Sequence, residues 1–294
     1  MVYLMNWIFR IFFILLILTV TIPAQENYYS ANTIYNFAEY LLEEKDFIRA
    51  AGEFQRLLVL QDSSLSKDFI LFKIGICYKL AGKYKKSNHY LKKVIDNYQS
   101  SNFVDSSHIQ IVYNYMISGD HEQANNYIHT NMHNISSEKT KYKLNIFQGV
   151  NYLYYRKWQK AYDHFYTLHN KKNFTGDKEL NTYLLLSEQA IRLKYKSKFF
   201  AGFLSAIIPG SGKMYAGNFK DGLYSFILIG LCTWQAYEGF SDNGTHSFKG
   251  WAYGSIGTFF YLGNIYGSMV AVKIYNEQIE NEFIRKVELN FTLN

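Results

Sequence analysis

Proline and cysteine are nearly missing from this 294-residue chain. Only Pro23 and Pro209 occur, and only Cys77 and Cys232. Two cysteines in such different surroundings imply no disulfide framework. Catalytic signatures are missing too. There is no HExxH pattern and no Gly-x-Ser-x-Gly elbow, which excludes the common zinc-hydrolase and serine-hydrolase arrangements. His129 and His133 stand four apart, but a metal site needs a further placed ligand. The net charge of +7 is scattered along the chain and accompanies no nucleic-acid-binding motif. Neither a metal, nor a cofactor, nor a nucleic-acid partner is expected, and no nucleophile and base can be placed.

What is present is a repeat. Ala50, Ser87, Ala124 and Ala161 lie 37 residues apart. The same step relates Phe47, Tyr84, His121 and Trp158, and also Phe54, Leu91, Ile128 and Phe165. Leu41, Tyr78, Tyr115 and Tyr152 form a fourth column, and Ala38, Gly75, Val112 and Gly149 a fifth. Within a unit the apolar residues fall at helical spacing: Ile34, Phe37, Ala38 and Leu41, then Phe47, Ala50, Ala51, Phe54 and Leu57. Between the two stripes lie short turns at Lys45-Asp46, Gly82-Lys83, Gly119-Asp120 and Arg156-Lys157. Each unit therefore reads as helix, tight turn, helix. A single hairpin cannot bury both faces, so the units must stack. The boundaries fall near 31–67, 68–104, 105–141 and 142–178, with a further helix at 180–195, in a repeat region spanning 25–197.

Gly75, Tyr78, Ser87 and Leu91, and likewise Gly149, Tyr152, Ala161 and Phe165, resemble the tetratricopeptide repeat. The late proline of that family is absent, and the period here is three residues longer than usual. The extra residues fall in polar loops such as Gln61–Asp68 and Asn170–Asp177. The resemblance implies an all-α solenoid that binds a protein or peptide along the first helices of its hairpins. Off the packing columns, Tyr154 and Tyr155 are candidate partner-binding residues, joined by Tyr115.

The two ends read differently. Ile11–Ile22 is a short apolar run followed by Pro23-Ala24, which predicts a signal peptide over 1–24. After Lys198 the composition turns apolar. Residues 199–217 read as a broken or re-entrant segment, and 222–240 and 251–272 as membrane-crossing helices of a domain over 198–275. These runs predict a bacterial cytoplasmic-membrane protein with its repeats facing the periplasm or exterior, in contact with membrane lipids. The string Pro209, Gly210, Gly212, Lys213, Tyr215 and Gly217 resembles a Pro-Gly-x-Gly-x-x-Tyr-x-Gly signature of a small Gly-rich bacterial multi-pass domain. It reads as a membrane turn, or as a cradle for an anionic headgroup. Gly254, Gly263, Asn264 and Gly267 are small or polar residues suited to close helix packing, inside the chain or across a homodimer. The tail, 276–294, ends in an alternating Val287–Asn294 stretch that reads as a strand.

The expected function is a membrane-anchored, non-enzymatic scaffold or assembly factor that binds a protein or peptide in the cell envelope. The alternative is a transport or lipid-handling subunit whose site is the Pro209–Gly217 segment.

Overall fold

The computed structural model describes residues 30–60, 65–171 and 177–293. These form thirteen α-helices and no strand. They are α1 (Ala31–Glu43), α2 (Phe47–Leu60), α3 (Lys67–Leu80), α4 (Tyr84–Asn97), α5 (Val104–Ile117), α6 (His121–Asn131), α7 (Glu138–Tyr154), α8 (Trp158–His169), α9 (Lys178–Ile191), α10 (Lys198–Ile207), α11 (Ser211–Ala216), α12 (Phe219–Asn243) and α13 (Phe248–Leu293). They divide into two compact units, one ending at Gln148 and one beginning at Gly149. The signal-peptide expectation concerns residues outside the described ones.

The hairpins follow from the 37-residue pattern. Ser30 caps α1, its hydroxyl accepting from the Thr33 amide at 3.1 Å, and Asp177 caps α9 in the same way. The helices within each hairpin meet at a repeated turn. Lys45, Gly82, Gly119 and Arg156 all adopt a positive φ, between 56° and 76°. In each case that residue's amide donates three residues back and the next amide donates five residues back, as in Asp120 N to Tyr115 O at 2.8 Å. This is the Schellman closure of a helix, which satisfies carbonyls that would otherwise lack partners. Two of the four turns use glycine, which adopts this conformation without strain. Lys45 and Arg156 adopt it at a cost of about 1–2 kcal/mol each.

The repeat columns form the cores. Ala50, Ser87, Ala124 and Ala161 are fully buried, as are Phe54, Leu91 and Phe165, and Ile128 nearly so. The small residue on the first helix sets how closely the second can approach. A Cβ added at Gly75 would lie 2.8 Å from Leu91 Cγ, and one added at Gly149 would overlap the Phe165 ring. The aromatic column is different: Phe47, Tyr84, His121 and Trp158 are only half-buried, at the mouths of the turns. In the first unit a buried amide joins successive hairpins, with Asn114 Nδ2 donating to Ser87 Oγ and to Asn88 Oδ1, both at 2.8 Å.

His108 is buried on α5, its Nδ1 2.9 Å from the Tyr127 hydroxyl. Burial holds its pKa below the ordinary 6.5, against the weaker upward pull of Asp105 and Asp96. The unfolded chain therefore takes up this proton first on acidification. Stability contributed here is intact above about pH 7 and falls as the pH drops through roughly 6.5 towards the lower folded value. Urea melts between pH 5 and pH 8 should show this loss in the first unit, and His108→Gln should flatten it.

In the second unit the corner at Pro209 connects three short-range elements. Pro209 follows Ile208, the extended residue that ends α10. Gly210 and Gly217, with φ of 85° and 107°, bracket the six-residue α11. α12 and α13 then run together, and their glycines let the backbones touch: a Cβ on Gly239 would lie 2.6 Å from the Gly250 nitrogen.

Two expectations are overturned. Among the described residues no helix is long and apolar enough to cross a membrane. α10 has 10 residues and α11 has 6. The runs at 222–240 and 251–272 are indeed helical, within α12 and α13. Glycines, tyrosines, Gln235 and Glu238 in the first, and glycines, tyrosines and Asn264 in the second, dilute their hydropathy. The transmembrane domain, and the membrane location inferred from it, therefore lose their basis. The tail is also not a strand. α13 continues unbroken to Leu293, because Phe283, Val287 and Phe291 repeat every four residues and all three are buried on one face.

Candidate functional site

A cavity of about 420 Å³ opens in the first unit where the turn of the second hairpin faces that of the third. Gly82 and Lys83 form its near edge, Tyr84 and Lys86 come from the first turn of α4, and Tyr115 and Asp120 come from the end of α5 and its turn. Its position follows from the repeat. Each Schellman turn throws the start of the second helix outwards, and the half-buried aromatic column falls at that mouth. Tyr115 is held by its neighbours, its ring centroid 6.3 Å from that of Tyr127. Asn88 lines the floor, and its Oδ1 is fixed by the Asn114 amide.

The electrostatics are one-sided. Lys83, Lys85 and Lys86 contribute three cations against the single carboxylate of Asp120. Lys83 sits at the N-cap of α4 without a side-chain cap, so the positive end of that helix adds to the lysines. Lys86 also lies over the Tyr78 ring, 5.4 Å from its centroid. The walls are mostly apolar and the rim cationic, a combination suited to an acidic residue beside an apolar or aromatic one.

The other sequence-derived candidates fall elsewhere. Tyr154 is half-buried and Tyr155 exposed, both in the second unit, and the Lys157 ammonium lies 5.3 Å from the Tyr155 ring centroid. The Pro209–Gly217 segment forms an internal corner. Gly212 N donates to Ser205 Oγ at 3.0 Å, Lys213 Nζ to Ser225 Oγ at 2.9 Å, and the Tyr215 hydroxyl accepts from Ser197 N at 3.2 Å. The Tyr215 ring stands edge-on to Phe200 at 5.3 Å. A Cβ added at Gly254 would lie 3.9 Å from the Ala236 Cβ, and one added at Gly267 would lie 3.4 Å from the Lys213 side chain. Gly263 meets nothing within 4 Å and is exposed. Asn264 is buried, and neither polar atom of its side chain finds a hydrogen-bond partner.

Cys77, His129 and His133 lie on separate elements. Burial raises the Cys77 thiol to about 12, opposed by nearby Lys73, which leaves it protonated at neutral pH. His129 Nε2 accepts from Gln148 Nε2 at 3.3 Å, and His133 lies in a separate 3₁₀ turn. Among the described residues no three His, Cys, Asp or Glu side chains converge as metal ligands would.

The lysines were visible in the sequence, yet nothing there singled them out. Tyr195 is a residue for which the sequence does carry a signal. It lies 37 residues after Trp158 and so continues the aromatic column into a fifth unit, and the Trp158 indole donates to its hydroxyl at 2.9 Å.

Comparison with models of known families finds no match to this chain, and neither does comparison with curated proteins.

Proposed function

We propose that the chain is a non-enzymatic scaffold of tetratricopeptide-like hairpins that holds a polypeptide partner. The observation that carries this reading is the cavity between the second and third hairpins, with Tyr84 and Tyr115 as walls and Lys83, Lys85 and Lys86 at its rim. Tyrosine contributes large contact area at low entropic cost, and clustered cations steer an acidic segment into register. The matching partner is an acidic peptide with an aromatic or aliphatic anchor.

Peptide-display selection against the full-length chain tests this. Enriched sequences should pair acidic with aromatic residues. Their affinity should fall about tenfold or more in Tyr115→Ala or in Lys83→Glu/Lys86→Glu, and should decline with added salt. Selection that yields no enriched class, or binding untouched by these changes, would refute the proposal.

The alternative, a lipid-handling site at Pro209–Gly217, is disfavoured by the hydrogen bonding of that corner. An anion cradle needs free backbone amides. Here the amides of Ser211, Gly212, Lys213 and Met214 are bound to Ile208 O, Ser205 Oγ and, for the last two, Gly210 O.

A further inference from the structure

The second unit contains a surface that its own C-terminal helix covers. Arg156 sits in the turn between α7 and α8 with φ of 56°, where two sister turns have glycine. Its guanidinium reaches the last part of α13, with Nε 2.7 Å from Glu280 Oε2 and a terminal nitrogen donating to Asn281 Oδ1 at 2.8 Å. Trp158, the first residue of α8, stands edge-on to Phe283 with centroids 5.5 Å apart. Its indole donates to the Tyr195 hydroxyl, which donates in turn to Glu280 Oε1 at 3.1 Å. Upstream, Asn276 grips the backbone of Lys196 twice, at 2.9 and 3.0 Å. The helix is therefore anchored at residue 276, and the next two turns lie on a patch made of Arg, Trp and Tyr.

Those three residue types dominate the energetics of protein interfaces. The apolar part of the contact is buried, at Phe283 and Val287, and its polar part is weak. The ion pair is partly exposed and adds little affinity. On the tail, Glu280, Phe283 and Val287 stand at i, i+3 and i+7, one face of a helix.

We propose that Arg156, Trp158 and Tyr195 form a docking site for an amphipathic helix bearing an acidic residue and, three positions later, an aromatic one, and that the end of α13 occupies this site as a tethered competitor. The site is separate from the cavity of the first unit and from the proposal made for it. A partner helix of this pattern gains access when the tail lets go. As part of the same chain the tail competes intramolecularly, so an untethered helix of the same pattern at micromolar concentration loses the competition.

The test uses the full-length chain and a fluorescent synthetic peptide of residues 276–293. Wild type should bind this peptide weakly. The double variant Glu280→Ala/Phe283→Ala, with its own tail weakened, should bind it about tenfold or more tightly than wild type. Adding Trp158→Ala should remove that gain. In a chain carrying Arg156→Glu and Phe283→Ala, the native peptide should fail to bind and a peptide with Glu280→Arg should restore binding. This swap separates recognition from a loss of folding, since a misfolded chain would accept neither peptide. Equal peptide affinity in wild type and the tail-weakened variant would overturn the proposal, as would restoration that ignores the charge swap.

Discussion

Replacing Phe165 by alanine is expected to destabilise the second unit by about 3–5 kcal/mol. The ring is fully buried and stacks on Tyr183, with centroids 5.7 Å apart and planes 14° from parallel. It also fills the space that Gly149 leaves open on α7. Truncation removes the transfer free energy of the ring and leaves a void. α7 and α8 cannot close over that void, because the Schellman turn at Arg156 fixes their separation. The stacking with Tyr183, on α9, makes the same residue the link to the next helix. Denaturant melts of the full-length chain should show a transition shifted to lower concentration. Leu185→Ala, on an exposed face of α9, serves as the control and should change stability by no more than about 0.5 kcal/mol. A loss below about 1 kcal/mol for the phenylalanine would mean that the hairpins do not pack as described.

Gly210→Ala should produce the second large loss, of about 3 kcal/mol. Two effects add. A left-handed conformation costs an alanine about 1–2 kcal/mol. The new methyl would also overlap the Gly222 carbonyl on α12, and overpacking against backbone typically costs another 1–3 kcal/mol. Neighbouring glycines separate the two terms. Gly217 has a φ of 107° but nothing within 4 Å of an added Cβ, so alanine there should pay the conformational term alone. Gly230 is helical and faces open space, so Gly230→Ala should be neutral or stabilising by about 0.5–1 kcal/mol. Thermal unfolding of the three variants should therefore rank Gly230→Ala above Gly217→Ala and both above Gly210→Ala. Any other order would show that the corner does not bring Gly210 against Gly222.

This ranking also explains the Gly-rich string. As a sequence it stood out as a membrane turn or an anion cradle. In the folded chain Gly210 and Gly212 are small because α12 and α10 pass within contact of them, and the Gly212 amide is already bound to Ser205 Oγ. Composition could not separate these uses, since both need glycine.

The membrane reading failed for a related reason. The apolar runs at 222–240 and 251–272 have the length of membrane spans. The same residues pair as α12 and α13, where glycines serve the close approach of one helix to the other, as at Gly239 and Gly250. That requirement puts small and polar residues into the runs and lowers their mean hydropathy. In the tail, Val287–Asn294 alternates over too few residues to distinguish a strand from the end of a longer helical stripe that begins at Phe283.

Periodicity by itself determined the hairpins of this protein, their turns and the buried columns, down to the positions of Ala50, Phe54 and their repeats. A 37-residue step places the same neighbours around each copy, so local spacing carries the information. The tertiary structure alone decided where the surfaces lie that a partner could use. Arg156 meets Asn281 across 125 residues of chain, and Tyr195 meets Glu280 across 85. No local pattern encodes such a meeting. It arises because an amphipathic helix must bury its apolar face, and the half-buried Trp158 edge of the repeat is where this one does so.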